Sequence, residues 1–278
     1  MEQNKEIETS IVKEYRKEIW CRFIKGINEY KLIQNGDRIA VCLSGGKDSM
    51  LMAKLMQELL RHRQYDIQLR FLVMNPGYNE ENYENIVRNA KLLHIPMESF
   101  DSPIFNVVDG IPDSPCYLCA RMRRGYLYSK AKELGCNKIA LGHHFDDVIE
   151  TIVMGMFYGA QVQTMMPKLH STNFPDMELI RPMYLVREED IISWRDKNHL
   201  KFIQCACRFT EQTHLSGDGI GQSKRQEIKQ WLKERRKENP DIDMHIFRSM
   251  ENVNVDTVIT YKKNGVKHCF LEDYELGN

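Results

Sequence analysis

A short loop rich in glycine and hydroxyl side chains carries the clearest chemical pattern in this sequence. It follows the apolar run 38–43 and precedes residues 50–63, in which leucine and methionine recur with helical spacing. Its members are Ser44, Gly45, Gly46, Lys47, Asp48 and Ser49. Glycines let the backbone approach a ligand closely, and the amides that open a helix point at bound anions. With the charge of Lys47 added, the segment predicts a pyrophosphate-binding loop between a strand and a helix.

The spacing of this loop separates it from two common nucleotide-binding signatures. It lacks the G-x-x-x-x-G-K-[ST] pattern of P-loop kinases and GTPases, and no G-x-G-x-x-G follows the strand. A glycine turn that merely connects two elements would not explain a lysine, an aspartate and two serines crowded at its mouth. We therefore interpret the loop as a binding site rather than a connection.

A second polar segment, residues 142–147, closes the predicted strand 138–141 with the sequence G-H-H-F-D-D. The carboxyl ends of parallel strands meet at one edge of a sheet, so His143, Asp146 and Asp147 are expected to face the ligand of the glycine loop. The two acids also suit the start of a helix, where the dipole favours negative charge. Both roles stay open for them.

Four of the eight cysteines are closely paired. Cys116 and Cys119 form a C-x-x-C, and Cys205 and Cys207 form a C-x-C. Thiols at a helix N-terminus ionise readily and serve as redox pairs, zinc ligands or cluster ligands. A zinc site needs four ligands, whereas three cysteines leave one iron of a cluster open to an external ligand such as sulfide. Cys205 is the preferred third ligand.

These motifs must be positioned by alternating strands and helices. Strands are predicted over 38–43, 68–74 and 138–141, and helices over 50–63, 81–93, 119–134 and 148–158. This order predicts an α/β fold with a doubly wound parallel sheet covered on both faces. The weaker pattern further on predicts a strand over 180–183, helices over 188–197, 223–238 and 240–250, and a hairpin turning at Asn264-Gly265.

Three segments follow from this organisation. Residues 1–30 are predicted to form an N-terminal helix, 31–215 the nucleotide-binding domain with its cysteine site, and 216–278 a helical and hairpin extension. The chain of 278 residues is 42% apolar and 28% charged, which excludes a disordered protein. Charges balance at 39 basic and 39 acidic residues, so no overall field would attract nucleic acid or a membrane. The charged N-terminus and the absence of a long apolar run predict a cytoplasmic protein.

Taken together, these motifs resemble a known family. S-G-G-K-D-S after a first strand is the signature of the PP-loop ATP pyrophosphatases, which adenylate a carbonyl oxygen and release pyrophosphate. Within them, four further runs resemble the tRNA 2-thiocytidine synthetases over about residues 35–255: P-C-Y-L-C-A-R-M-R-R-G, K-I-A-L-G-H-H-F-D-D-V-I-E-T, M-F-Y-G, and P-K-L followed by I-R-P. The resemblance implies that ATP activates C2 of a cytidine at tRNA position 32. Sulfur delivered at a 4Fe-4S cluster then replaces the oxygen.

The resemblance also implies roles for individual residues. Lys47 and the loop amides would hold the ATP phosphates, and Asp48 would hold Mg²⁺ or assist adenylation. The catalytic candidates are Lys47, Asp48, Cys116, Cys119 and Arg123. The nucleotide-binding candidates are Ser44, Gly45, Gly46, Lys47, Asp48, Ser49, Met74, Asn75, Gly142, His143 and Asp147, of which Met74 and Asn75 would border the adenine.

The cluster ligands implied by the resemblance are Cys116, Cys119 and Cys205. The family pattern I-P-C-x-x-C becomes Ile203-Gln-Cys205-Ala-Cys207 here, which leaves the choice between Cys205 and Cys207 open. Structural zinc held by all four paired cysteines is the alternative. The terminal zinc fingers of the related 2-thiouridine enzymes have no counterpart in this sequence.

The expected partners are tRNA and a sulfur donor. Arg121 and Arg124 are the candidates for RNA phosphates, and the donor is either inorganic sulfide or the persulfide of a cysteine desulfurase. The resemblance implies a homodimer. Two other functions stay open: a PP-loop enzyme acting on another nucleobase or a small molecule, and a nucleotide-binding module without catalysis. Residues 253–278 receive no functional interpretation from the sequence.

Overall fold

The computed structural model describes residues 2–104, 115–203 and 224–274, without the side chains of 2, 3, 115–120 and 273. Its N-terminal segment is helical, as predicted, but is not one regular α-helix. Helix α1 (Glu2–Thr9) continues through two π-helical turns, Ser10–Glu14 and Arg16–Trp20, into α2 (Cys21–Glu29). Between the π turns, Tyr15 adopts φ −96° and ψ 23°, outside α-helical geometry.

The described residues form one six-stranded sheet in the spatial order β3-β2-β1-β4-β6-β5. The strands are β1 (Arg38–Leu43), β2 (Gln68–Asn75), β3 (Met97–Asp101), β4 (Lys138–Ala140), β5 (Lys168–His170) and β6 (Glu178–Ile180). The helices around it are α3 (Lys47–Arg61), α4 (Glu80–Leu92), α5 (Pro115–Glu133), α6 (Phe145–Gly159) and α7 (Glu188–Lys197). Every neighbouring pair is parallel except β5 and β6. The predicted doubly wound parallel sheet is confirmed.

The two edge strands, β3 and β5, were not predicted, and β6 was predicted two to three residues late. β3 alternates between half-buried and exposed residues and contains two acids, so it lacks the apolar run of a central strand. β5 and β6 have only three residues each, which is too short for a periodic pattern. Neither edge strand contains a fully buried residue, so neither has the apolar run by which a central strand is predicted from sequence.

β1 supplies side chains to both faces of the sheet. Ile39, Val41 and Leu43 belong to a large hydrophobic cluster that also contains residues of the N-terminal helices, α3, α4 and α7. Ala40 and Cys42 belong to a second cluster with residues of α5. A strand buried on both faces is typical of a parallel sheet between two helical layers. The strand also separates β2 from β4, so the chain order reverses between β1 and β4 and opens a crevice at their carboxyl ends.

The chain divides into two compact units. The first comprises Met1–Val148 with Met165–Ile220, and the second Ile149–Thr164 with Gly221–Asn278. The predicted helical segment 1–30 therefore falls within the first unit, and residues 149–164, which the sequence analysis assigned to the nucleotide-binding domain, fall within the second.

The second unit holds the C-terminal elements. They are α8 (Lys224–Glu238), α9 (Ile242–Ser249), β7 (Thr260–Lys263), β8 (Val266–Cys269) and α10 (Leu271–Tyr274). The predicted hairpin is confirmed: Asn264 and Gly265 have φ of 52° and 81°, the left-handed pair that a tight two-residue turn requires. Across the described ranges, no helix combines the length and apolar character needed to cross a membrane.

Candidate functional site

The glycine loop follows β1 at the crevice and is held by its two serines. The backbone N–H and the hydroxyl of Ser44 both donate to Ser49 Oγ over 3.1 Å, and Ser49 Oγ donates to the carbonyl of Gly46 over 3.0 Å. Gly45 has a φ of 82°, and a Cβ there would lie 2.5 Å from Ile86 Cγ1. Only glycine fits this position, so the loop is built in one shape before a ligand binds.

The second predicted motif lies directly against this loop. A Cβ on Gly142 would come within 3.1 Å of both the N and the Cα atoms of Ser49. The end of β4 therefore packs on the first turn of α3 with no room for a side chain. The structure brings the two motifs together, as the parallel sheet predicted.

A charge cluster lies at the start of α3. Lys47 Nζ is 3.1 Å from both carboxylate oxygens of Asp48 and 3.1 Å from Glu188 Oε1. Burial lowers the pKa of Lys47, but the charges and hydrogen bonds of Asp48 and Glu188 outweigh burial and raise it above the ordinary value. Lys47 is therefore held as a cation at the mouth of the loop.

Asp48 has one carboxylate oxygen without a hydrogen bond. Its Oδ1 is buried and makes no hydrogen bond within the described residues, although it is ion-paired with Lys47 Nζ at 3.1 Å and lies 3.8 Å from His144 Nε2. His144 Nδ1 accepts a hydrogen bond from the backbone N–H of Asp147, which places the proton of a neutral imidazole on Nε2. Asp48 thus lies between the Lys47 ammonium and the His144 imidazole.

The acids after β4 hold the backbone. Asp147 Oδ2 accepts from the N–H of His144 over 3.0 Å, which caps the start of α6. Asp146 is buried, and its Oδ2 accepts from the N–H of Glu188 over 2.8 Å. Asp146 therefore fixes the start of α7, from which Glu188 reaches Lys47. The helix-cap role that the sequence left open is seen for Asp147.

His144 and Glu188 are two site residues that the sequence analysis missed. His143, the predicted residue, is half-buried, whereas His144 is buried and lies beside Asp48. A doubled histidine gave no local signal to choose between the two. Glu188 is one of three acids in the first turn of α7, a common pattern that does not by itself indicate a site. Only the tertiary structure brings it to Lys47, which is 141 residues away in the chain.

The predicted adenine-bordering pair ends β2, beside β1. Asn75 Oδ1 accepts from the N–H groups of Gly77 and Tyr78 over 3.1 and 2.9 Å, and its Nδ2 donates to Asp101 over 2.9 Å. The Asn75 side chain therefore joins the turn after β2 to Asp101 of β3. Met74 is buried at the same edge of the sheet as the glycine loop.

A buried arginine follows β6, the neighbour of β4. Arg181 donates from Nη1 to the carbonyl of Met166, while its Nε is buried without a hydrogen bond among the described residues. Burial lowers the pKa of Arg181 to about 10, so the guanidinium remains charged at neutral pH. It adds a positive charge at the carboxyl edge of the sheet, where an anion is expected.

The cysteine and arginine candidates are only partly described. The backbone of α5 begins at Pro115 and so contains Cys116 and Cys119, whose side chains are outside the described part of the structure. Cys205 and Cys207 also lie outside the described residues. Further along α5, the described side chains of Arg121 and Arg124 are exposed and that of Arg123 is half-buried. Among the side chains that are described, no three of His, Cys, Asp or Glu are grouped as metal ligands.

The fold and the loop define a PP-loop protein: the PP-loop domain family matches residues 17–208. A tRNA-cytidine(32) 2-sulfurtransferase of Coxiella burnetii (strain RSA 331 / Henzerling II) is 32% identical over 244 residues, covering 86% of this chain and 90% of the relative. The tRNA-cytidine(32) 2-sulfurtransferase 1 of Francisella philomiragia subsp. philomiragia is 35% identical over 236 residues, covering 82% and 87%. The chain belongs to the family of tRNA-cytidine(32) 2-sulfurtransferases.

A solved structure supports the fold independently. The U34-tRNA thiolase NcsA from Methanococcus maripaludis, with its 4Fe-4S cluster, aligns with a TM-score of 0.64 and 20% identity. The alignment covers 92% of this chain and 86% of that protein. At this identity the likeness demonstrates a common architecture.

Proposed function

We propose that this protein replaces the C2 oxygen of cytidine 32 in tRNA with sulfur and uses ATP to activate that position. The observation that carries the proposal is the charge cluster of Lys47, Asp48 and Glu188 at the mouth of the glycine loop, in a chain of the tRNA-cytidine(32) 2-sulfurtransferase family. The reaction has two stages. The C2 oxygen attacks the α-phosphorus of ATP and pyrophosphate leaves, after which sulfide attacks C2 and AMP leaves. With a persulfide donor, an external reductant must supply two electrons to cleave the S–S bond.

The loop is suited to the first stage because it presents positive charge and amide donors to phosphate. Its backbone N–H groups open α3, where the helix dipole favours an anion. Lys47 is already charged and oriented, so it stabilises the negative charge that develops on the departing pyrophosphate without reorganising. Ser44 and Ser49 keep the loop in this shape. Within the same proposal, Met74, Asn75, Gly142, His143 and Asp147 border the nucleotide.

The residues present fit a magnesium ion. The buried Oδ1 of Asp48 makes no hydrogen bond within the described residues, and Mg²⁺ in nucleotide sites is commonly held by one or two carboxylates together with phosphate oxygens. When bound, Mg²⁺ would neutralise phosphate charge. Asp48 would hold it, and Lys47 would remain paired to Glu188.

The paired cysteines fit an iron–sulfur cluster by the chemistry of their donors. Cys116, Cys119 and either Cys205 or Cys207 would hold a 4Fe-4S cluster, which would supply an open iron position for the incoming sulfur. The half-buried Arg123, on the same helix, is the proposed catalytic arginine, and the exposed Arg121 and Arg124 would contact RNA phosphates. A persulfide or sulfide donor and a homodimer complete the proposal.

Metal analysis separates the cluster from the zinc alternative. Protein purified without oxygen is expected to contain about four irons and four sulfides per chain and to absorb in the visible region. Replacing Cys116 or Cys119 with Ser should abolish that absorbance, and comparison of Cys205→Ser with Cys207→Ser identifies the third ligand. Buried Cys42→Ser is the control, since this thiol lies inside β1. Stoichiometric zinc in colourless protein would contradict the cluster.

The activity is tested by mass spectrometry of nucleosides from total tRNA of cells with and without this gene. Loss of 2-thiocytidine alone, restored by the wild-type gene and not by Asp48→Asn, is the expected result. If every thionucleoside persists without the gene, the substrate is another nucleobase or a small molecule. Detection of AMP and pyrophosphate with purified protein, unmodified tRNA and sulfide tests the same reaction directly.

A further inference from the structure

The C-terminal hairpin carries exposed groups that the proposed reaction does not use. β7 and β8 pair antiparallel, with Tyr261 opposite His268 and Lys262 opposite Lys267. The PP-loop match ends at residue 208, well before the hairpin. An isolated two-stranded hairpin is only marginally stable in water. Its side chains therefore require their own explanation.

The two strands of the hairpin carry positive charge, and acids flank them. Residues 260–269 contain three lysines and no acid, while Asp256, Glu272 and Asp273 lie just outside. Lys262 and Lys267 face each other directly across the two strands, where like charges destabilise the pairing. All three lysines, Lys263 included, are exposed, and none has an acidic partner among the described side chains. Glu272 instead lies 3.2 Å from His268 Nδ1. A bound anion would relieve this repulsion.

Aromatic rings accompany the charge. Tyr261 stacks on His268 with ring centroids 5.0 Å apart and an interplanar angle of 20°. Phe270 and Tyr274, whose rings lie 6.4 Å apart, are both exposed, and Tyr274 is 75% accessible. Successive residues of a strand point to opposite faces, so Lys263 shares a face with Tyr261, while Lys262 and Lys267 point to the other face. Rings on one face and lysines on both form a surface that unpaired nucleotides can bind, since bases stack on rings while phosphates contact ammonium groups.

We propose that this hairpin surface, defined as residues 260–270 with Tyr274, binds single-stranded or loop nucleotides of the tRNA substrate. The proposal rests on the proposed function, which makes a polyanion the substrate. The opposed lysines favour an anionic occupant over a second copy of this chain, because two copies docked through the strands would bring six lysines together. Bases in a duplex are already stacked, so the exposed rings select unpaired nucleotides.

The test compares two double variants of the full-length protein. Lys262→Gln with Lys267→Gln removes the opposed charges, and Lys262→Arg with Lys267→Arg keeps them at the same positions. Dissociation constants for unmodified tRNA are measured over a series of salt concentrations. The glutamine variant should bind more weakly, and the slope of log affinity against log salt should shrink by about 2, roughly one per lysine. The arginine variant should match the wild type.

The rings are tested separately. Phe270→Ala with Tyr274→Ala should weaken tRNA binding without changing the salt slope, because stacking releases no counterions. Unchanged tRNA affinity and slope in the glutamine variant would overturn the proposal. So would sedimentation showing that loss of the two rings converts a dimer to a monomer at unchanged tRNA affinity, since the surface would then be a subunit contact.

Two readouts keep this inference distinct from the proposed function. ATP binding of the glutamine variant should equal that of the wild type, because the hairpin belongs to the second compact unit and the glycine loop to the first. If the wild-type gene restores no 2-thiocytidine, the proposed function is wrong. If it restores 2-thiocytidine but the glutamine variant binds tRNA with normal affinity, only the role of the hairpin is wrong.

Discussion

Lys47 shows how single residues determine the chemistry of this site. A lysine at a phosphate-binding loop must be charged when the ligand arrives, yet burial favours the neutral amine. Asp48 and Glu188 settle the balance by holding the pKa of Lys47 above its ordinary value. The cation is thus oriented by its two partners before nucleotide binds.

The contribution of Glu188 can be measured against its neighbour. Glu188→Gln removes one of the two carboxylates beside Lys47 and should lower both the lysine pKa and the affinity for ATP. Glu189→Gln is the matched control, since Glu189 is exposed and has no described contact with Lys47. Titration calorimetry with an ATP analogue gives the affinities. Unchanged or higher ATP affinity in Glu188→Gln would contradict the role of the Lys47 contact, since loss of a negative charge by itself favours an anionic ligand.

Gly142 is the residue at which packing is tightest between the two motifs. Gly142→Ala would push a methyl group against backbone atoms 3.1 Å away, and we expect a loss of about 1–3 kcal/mol in the free energy of unfolding together with weaker ATP binding. Gly125→Ala is the control, because nothing lies within 4 Å of its added Cβ. Urea denaturation measures the free energy of unfolding of both variants, and titration calorimetry measures their ATP binding. A Gly142→Ala protein as stable as the control would contradict the close approach.

At the level of elements, ion pairs of Glu8 connect helix α1 to helix α3, which follows the glycine loop. Lys54 of α3 is fully buried and donates to Glu8 of α1 over 2.6 Å and to the carbonyl of Leu93 over 2.9 Å. Arg61 also binds Glu8. Burial raises the pKa of Glu8, but hydrogen bonds and charges from Arg61 and Lys54 outweigh it and lower the pKa to about 2.

This pair makes stability depend on acid pH. Because the folded pKa of Glu8 lies below its unfolded value of 4.5, its contribution is fully present above pH 4.5 and is lost as pH falls towards about 2. Glu8→Gln should flatten the fall in unfolding free energy over that range. At pH 7 it should cost on the order of 3 kcal/mol, since Lys54 would be left buried without a carboxylate.

Glu6→Gln is the matched control for this experiment, because Glu6 is exposed on the same helix. Chemical denaturation at a series of pH values measures the free energy for both variants. If Glu6→Gln and Glu8→Gln change the pH profile equally, the ion pair does not anchor α1.

At the scale of the whole molecule, the nucleotide site is assembled from segments far apart in the chain. The loop after β1, the end of β4 and the start of α7 all belong to the first compact unit. A ligand can contact all three segments only when the unit is folded. ATP should therefore stabilise the fold as a whole rather than one element.

Ligand-induced stabilisation tests this assembly. A nonhydrolysable ATP analogue at a hundred times its dissociation constant should stabilise the folded protein by about 2.7 kcal/mol. Lys47→Met should lose this gain, whereas Lys91→Met, at an exposed position on α4, should keep it. Thermal unfolding with and without the analogue gives the result. Full stabilisation of the Lys47→Met protein would place the phosphates elsewhere.

The sequence by itself determined the elements whose signals are local. Alternating strands and helices, the S-G-G-K-D-S loop and the Asn264-Gly265 turn depend on residues within a few positions of one another, and all three are present as predicted. Central strands such as β1 are also readable, because burial on both faces demands an uninterrupted apolar run.

The tertiary structure decided which side chains meet. It placed His144, the neighbour of the predicted His143, beside Asp48, and brought Glu188 to Lys47. It also joined Asn75 by hydrogen bonds to Tyr78 and Asp101 and grouped 149–164 with the C-terminal residues. Propensity and periodicity act over about one helical turn, whereas these contacts depend on the twist and strand order of the sheet. No local pattern contains that information.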